Sequence, residues 1–218
     1  MRNISLEEFY HIYNRGTEKR KIFLDKKDHE RFLSLLYICN NKNKVHIQIQ
    51  GKNLNDILNL EIKEKIVEIG AYCLMPNHFH LLLHEKIENG ISKFMQKLLT
   101  AYTMYFNKKY ARSGALFQGK FKDTHLDTDR YLKYLISYVH LNPIKLTEPE
   151  WKEKGIKNPK QAELFLKKYR YSSYSDFLGE KRIENKIIQK DSLPQYFENF
   201  KDFESHTTEW LNNKPFST

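Results

Sequence analysis

The chain has 218 residues, of which 40% are hydrophobic and 14% aromatic, and it carries a formal net charge of +10. That length suits one core domain, or one plus a substantial extension, and the apolar content is enough to build a core. No run of about 18 apolar residues exists, which argues against a membrane-spanning helix, and the opening Met-Arg-Asn-Ile-Ser-Leu-Glu-Glu lacks the apolar block of a secretory signal.

In chain order, Glu8 to Arg15 reads as a first strand, with Phe9, His11 and Tyr13 alternating with Tyr10, Ile12 and Asn14. Asp28 to Ile38 has the apolar spacing of a helix, and Asn40 to Lys44 is polar and reads as a loop. Val45 to Leu60 is ambiguous between a short strand and a helical piece. Ile66 to Leu74 reads as a buried strand. Met75-Pro76-Asn77 breaks it, and a second strand follows, so the pair suits an antiparallel hairpin. Ile91 to Asn107 keeps its large apolar residues on one helical stripe. Leu116 to Leu126 reads as a strand. Asp127 or Thr128 can cap a helix from Asp129 to about Leu141, which Asn142-Pro143 is expected to stop. The order β-α-β-β-α-β plus one helix predicts an α+β fold: a ferredoxin-like antiparallel sheet with an added helix. The expected division is a core domain over 1–146 and a basic C-terminal extension over 147–218, packed on the core. Short helices are expected within Tyr169 to Leu178 and Leu193 to Trp210.

The hairpin's second strand carries His78-Phe79-His80. Side chains two apart on a strand share a face, so His78 and His80 project together, roughly 6–7 Å apart. Phe79, Leu81 and Leu83 face the other way, toward a core. Two imidazoles on a rigid strand can chelate one divalent ion. His84 shares their face and could be a third ligand, but it stands about 13 Å from His78 along the strand.

The helix before Asn142-Pro143 has two stripes. Leu132, Ile136 and Val139 suit the core, while Tyr131, Tyr134, Tyr138 and Asn142 line an adjacent side. Tyr138 and Asn142 are one turn apart. A phenol and an amide oxygen on one face can supply a nucleophile and a metal ligand; packing for the tyrosines and helix capping for the asparagine is the plainer alternative. A tyrosine hydroxyl, with its ordinary pKa of about 10, is a poor nucleophile near neutral pH. A metal that polarises a phosphodiester would help it. The product would be a phosphotyrosine link with release of a 3′-hydroxyl, and no nucleotide cofactor would be needed for rejoining.

Five collinear segments carry a specific resemblance: Tyr-His-Ile-Tyr-Asn-Arg-Gly at 10–16, Ala-Tyr-Cys-Leu-Met-Pro-Asn-His-Phe-His-Leu-Leu-Leu at 71–83, Phe-Met-Gln-Lys-Leu-Leu-Thr-Ala-Tyr-Thr-Met-Tyr-Phe-Asn at 94–107, Gly-Ala-Leu-Phe-Gln-Gly-Lys-Phe-Lys at 114–122, and Tyr-Leu-Ile-Ser-Tyr-Val-His-Leu-Asn-Pro-Ile-Lys at 134–145. Together they resemble the REP-associated tyrosine transposases of the HUH single-tyrosine superfamily. The resemblance implies a ferredoxin-like fold, a divalent metal (Mg2+ or Mn2+) and cleavage of single-stranded DNA beside hairpins. It implies His78 and His80 as metal ligands, Tyr138 as the nucleophile with Tyr134 as its rival, and Asn142 as a third ligand where some relatives have glutamine. Residues 45–65 look like an insertion. Both monomers and homodimers occur among such proteins. A bacterial, cytoplasmic enzyme is expected.

The positive charge favours an anionic partner, most commonly nucleic acid. Lys108, Lys109, Arg112, Lys120 and Lys122 face only Asp123 between positions 101 and 125, and seven more basic residues crowd 150–170. Arg15, Arg112, Lys120 and Lys122 are the candidate phosphate contacts. Phe117 and Phe121 could stack on bases or pack against the sheet. Two-imidazole sites prefer transition metals, so phosphate oxygens and water would have to complete a magnesium site. Two cysteines without motif spacing suit reduced thiols. Besides a nicking and joining enzyme, the pattern leaves open a hairpin-binding module that no longer cuts, and a metal-dependent nuclease with no covalent step.

Overall fold

The computed structural model describes residues 4–43, 52–194, 196 and 200–212. Strands β1 (Phe9–Arg15), β2 (Val67–Met75), β3 (His78–Glu85) and β4 (Lys122–His125) form one sheet in the order β2-β3-β1-β4. Every neighbouring pair is antiparallel. Helices α1 (Lys26–Ile38) and α3 (Gly90–Lys109) make the two crossovers, with the five-residue α2 (Leu54–Leu58) between α1 and β2. This is the expected ferredoxin-like α+β arrangement, with β1 and β3 at the centre.

The alternation of each strand decides what covers each face. Ile12, Phe79 and Leu81 are fully buried on the face shared with α1 and α3. There Phe32 of α1 lies 5.1 Å from Phe79 and 4.9 Å from Tyr102 of α3, ring centre to ring centre. Asp25 begins α1 with a reciprocal cap to Asp28. Asp28 also accepts from the Leu24 amide, Lys109, Tyr105 and Tyr110, so one buried carboxylate pins the start of α1 to the end of α3.

Helix α4 (Asp129–Leu141) covers the opposite face. Thr128 caps it by accepting from the Tyr131 amide, and Leu132, Leu135, Ile136 and Val139 are buried. The α-helix ends at Leu141, as expected, but the reason for the stop needs correction. Asn142 keeps helical angles, and a 3-10 turn follows directly over Asn142–Leu146. Proline's missing N–H ends the α pattern, but its fixed φ suits the first position of a new turn. The expected strand from Leu116 to Leu126 is also too long. Phe117 bridges to Gly16 and Gln118 donates to the Arg15 carbonyl, but Gly119, with φ of 71°, turns the chain away, and pairing resumes only at Lys122 opposite Tyr13. The strand part of the ambiguous 45–60 region falls partly on 44–51, outside the described residues.

Beyond Leu146 come α5 (Trp151–Lys154), α6 (Pro159–Lys168), α7 (Tyr174–Phe177) and α8 (Phe200–Asn212). Of these, α5 and α6 had no counterpart in the sequence reading. Residues 171–173 lie along the free edge of β2, where the Leu74 amide donates to the Tyr171 carbonyl and the Ser173 amide to the Tyr72 carbonyl. That covers an edge otherwise open to pairing. His140, on the back of α4, meets Ser173 Oγ at 2.8 Å and packs against Phe177 and Phe203. Among the described residues no helix is long and apolar enough to cross a membrane.

Candidate active site

The sheet register puts the two histidines on the α4 face. His78 lies opposite Arg15 and His80 opposite Tyr13 on β1, so Arg15, Tyr13 and His11 share their side. The two histidine rings stand 5.0 Å apart at right angles. His80 is buried and His78 half-buried. Tyr138 sits half-buried on the facing side of α4, its ring edge-on to His80 at 5.4 Å and to His11 at 5.9 Å. One turn on, Asn142 is buried; its Nδ2 donates to the Tyr138 carbonyl, and its side chain lies beside His78. His78, His80, Tyr138 and Asn142 therefore come together. Tyr134 stacks behind Tyr138 at 6.0 Å.

Burial first, then the nearby Lys145, Lys152 and Arg15, lowers the His78 pKa to about 4. His80 is held well below its ordinary value by burial and then by His11, His78, Lys152 and Lys145. Burial and Lys152 bring His11 down to about 4. All three rings are thus neutral near pH 7, the form that binds a metal. The donors within reach are two imidazoles and an amide oxygen, and no group of three His, Cys, Asp or Glu gathers to hold a metal among the described residues. Such a donor set fits a divalent ion that keeps its full charge and takes its remaining ligands from phosphate and water.

Of the basic candidates, Arg15 is exposed beside His78, its Nε donating to Gln118. Lys122 pairs with Tyr13 and so lies on the same face, and Lys120 is exposed beside Gly119. Arg112 is not brought to the site. It donates to Asn107 and covers Phe106 at the end of α3, the layer on the other side of the sheet. Phe117 and Phe121 are buried and pack rather than offering an open platform. His84 is engaged by Glu68 at 2.9 Å.

Sequence reasoning missed two side chains at the site. His11 meets His80 directly, its Nε2 2.8 Å from His80 Nδ1. The spacing had put it on one strand face, but only the β1–β3 register brings that face beside His80. Lys152 lays its ammonium 3.9 Å from the centre of the Tyr138 ring. It comes from α5, and no local signal marks it.

A family model described as "Transposase IS200 like" matches residues 33–142, half of the chain. The chain belongs to the IS200-like transposase family. The matched block holds His78, His80, Tyr138 and Asn142, and excludes His11 and Lys152. Among solved structures, this transposase is similar to a REP-associated tyrosine transposase bound to a REP hairpin, with a TM-score of 0.51 over 84% of this chain and 88% of that one. At 11% identity the likeness supports the fold alone. No curated protein matches this transposase in sequence.

Proposed function

We propose that this transposase nicks and rejoins single-stranded DNA at hairpin-bearing sites through a 5′-phosphotyrosine link to Tyr138. The observation that carries the reading is the contact of the Tyr138 ring with His80, one turn before Asn142. The phenol oxygen would attack phosphorus, forming an O–P bond as the P–O3′ bond breaks. The phenol proton passes to water, and the departing 3′ oxygen takes up a proton from water. A later 3′-hydroxyl reverses the exchange, so the bond energy is kept.

His78, His80 and Asn142 would hold a divalent ion, Mg2+ or Mn2+. When bound, such an ion supplies Lewis-acid polarisation of a phosphodiester oxygen. The chain itself positions the rest. Arg15 and Lys122 edge the face that DNA would cross, with Lys120 on the neighbouring loop, and Lys152 and Lys145 add positive charge around Tyr138 and His78. Fixed charges in a partly desolvated site stabilise a phosphoryl transition state without reorganising. Arg112, on the other layer, would bind DNA only if the strand wraps past α3.

The test is to incubate the protein with labelled hairpin DNA and Mg2+ or Mn2+, then denature. A metal-dependent, slowly migrating protein–DNA adduct is expected. Free cleaved ends with no adduct would point to a nuclease without a covalent step, and binding without cleavage to a hairpin-recognition module.

A further inference from the structure

We infer that His11 is the positioning residue for His80: it fixes the ring tautomer that presents Nε2 to the metal. The inference rests on the metal reading above and extends it to a strand outside the family-matched block. His11 Nε2 and His80 Nδ1 are 2.8 Å apart, and both rings are buried. A single proton lies between two such nitrogens when both rings are neutral. If His11 donated it, His80 would carry its own proton on Nε2 and could not ligate there. If His80 donates it, Nε2 is bare and turned outward. Ligation by His80 therefore requires His11 to be the acceptor, with its own proton on Nδ1.

The neighbouring ligand is arranged alike. His78 Nδ1 meets Asn77 Oδ1 at 2.6 Å. The Asn77 amide cannot be turned over cheaply, because its Nδ2 donates to the Lys19 carbonyl at 3.2 Å. An amide oxygen only accepts, so His78 also carries its proton on Nδ1 and offers Nε2. Asn142 spends its Nδ2 on the Tyr138 carbonyl, which leaves its oxygen for the site. Each of the three donors is thus oriented by a hydrogen bond through its other polar atom.

His11 is itself held. Its ring stacks on Tyr13 at 4.8 Å and meets the edge of Tyr138. The choice of histidine has a chemical consequence. Ligating histidines commonly lean on a carboxylate, which raises their basicity and cancels metal charge. A neutral imidazole acceptor orients His80 equally well and leaves the cation's charge for the phosphate.

The experiment uses the full chain with Mn2+ as the probe. Long-range 1H–15N spectra of the metal-free protein report the His80 tautomer, and electron paramagnetic resonance reports Mn2+ affinity. Wild type should show the His80 Nδ1–H form. His11→Ala should mix the tautomers and weaken Mn2+ binding by roughly 10–100-fold. His11→Gln, whose amide oxygen can accept, should restore most of both. An unchanged tautomer and unchanged Mn2+ affinity in His11→Ala would overturn the inference. Wild type that binds no Mn2+ would remove the metal reading instead, and the tautomer in metal-free protein would still decide the role of His11.

Discussion

Lys152 holds its ammonium 3.9 Å from the centre of the Tyr138 ring. A cation over an aromatic face is attracted by the ring's quadrupole, more strongly when water is partly excluded. The lysine belongs to α5, beyond the family-matched block, so the C-terminal region lends a charge to the site. Lys152→Gln should slow adduct formation at saturating DNA by about tenfold, equivalent to about 1.4 kcal/mol of transition-state stabilisation. Lys152→Arg should recover part of it. Rapid-quench single turnovers check this; an unchanged rate would make the contact a packing detail.

Metal uptake should be nearly independent of pH across the neutral range. An ordinary histidine, with a pKa of about 6.5, competes with metal for a proton as pH falls through that value. His78 is lowered to about 4, and His80 is well below its ordinary value. A lowered histidine pKa keeps the ring neutral down to the lower value. Mn2+ affinity should therefore stay level from pH 8 to about 5.5 and fall only below that. Titration calorimetry at several pH values would show a drop centred near 6.5 if the rings were unshifted.

The alternation rule made the central geometry legible. Residues two apart on one strand had to share a face, so His78 and His80 were readable as a pair. Residues four apart on α4 had to share a side, but that stripe also held Tyr131 and Tyr134, and the choice of Tyr138 and Asn142 came from the resemblance. His11 was half legible: its strand face followed from spacing, but its partner depended on β1 pairing with β3. Lys152 was not legible, because its contact needs the chain to return across α4 from an irregular stretch. The detour at Gly119 hid within a stretch that mixes aromatic and basic residues and reads through as one strand.

DNA affinity should be steeply salt-dependent. Lys120 and Lys122 are both exposed near the β4 edge. Replacing both with glutamine should weaken hairpin binding and reduce the slope of log affinity against log salt by up to about two. Arg112→Gln should change the slope less, since Arg112 is held against Asn107 and Phe106. Fluorescence anisotropy over a salt series separates the two.

Asp28 should be a stability residue with no part in catalysis. Burial pushes its carboxyl pKa up, but Lys109, the Leu24 amide, Tyr110 and Tyr105 outweigh that and hold it below the ordinary value. Its contribution is therefore present above the ordinary carboxylate pKa of about 3.9 and is lost as pH falls through the lower folded value. Asp28→Asn should cost roughly 2–4 kcal/mol at pH 7, because it removes the buried charge facing Lys109 and turns one acceptor oxygen into an NH2 set against other donors. Urea unfolding measures this. The variant should also lack the part of wild type's acid destabilisation that sets in below about pH 4.

The most direct measurement is to identify the residue joined to cut DNA. Wild type, Tyr138→Phe and Tyr134→Phe are each incubated with a labelled single-stranded hairpin and Mn2+, denatured, and the adduct is digested for peptide mass spectrometry. Tyr138→Phe removes one oxygen and keeps the ring, so fold and hairpin binding should persist. The account predicts a 5′-phosphate on the peptide containing Tyr138 in wild type and Tyr134→Phe, and no adduct in Tyr138→Phe. An adduct that survives in Tyr138→Phe and vanishes in Tyr134→Phe would contradict it.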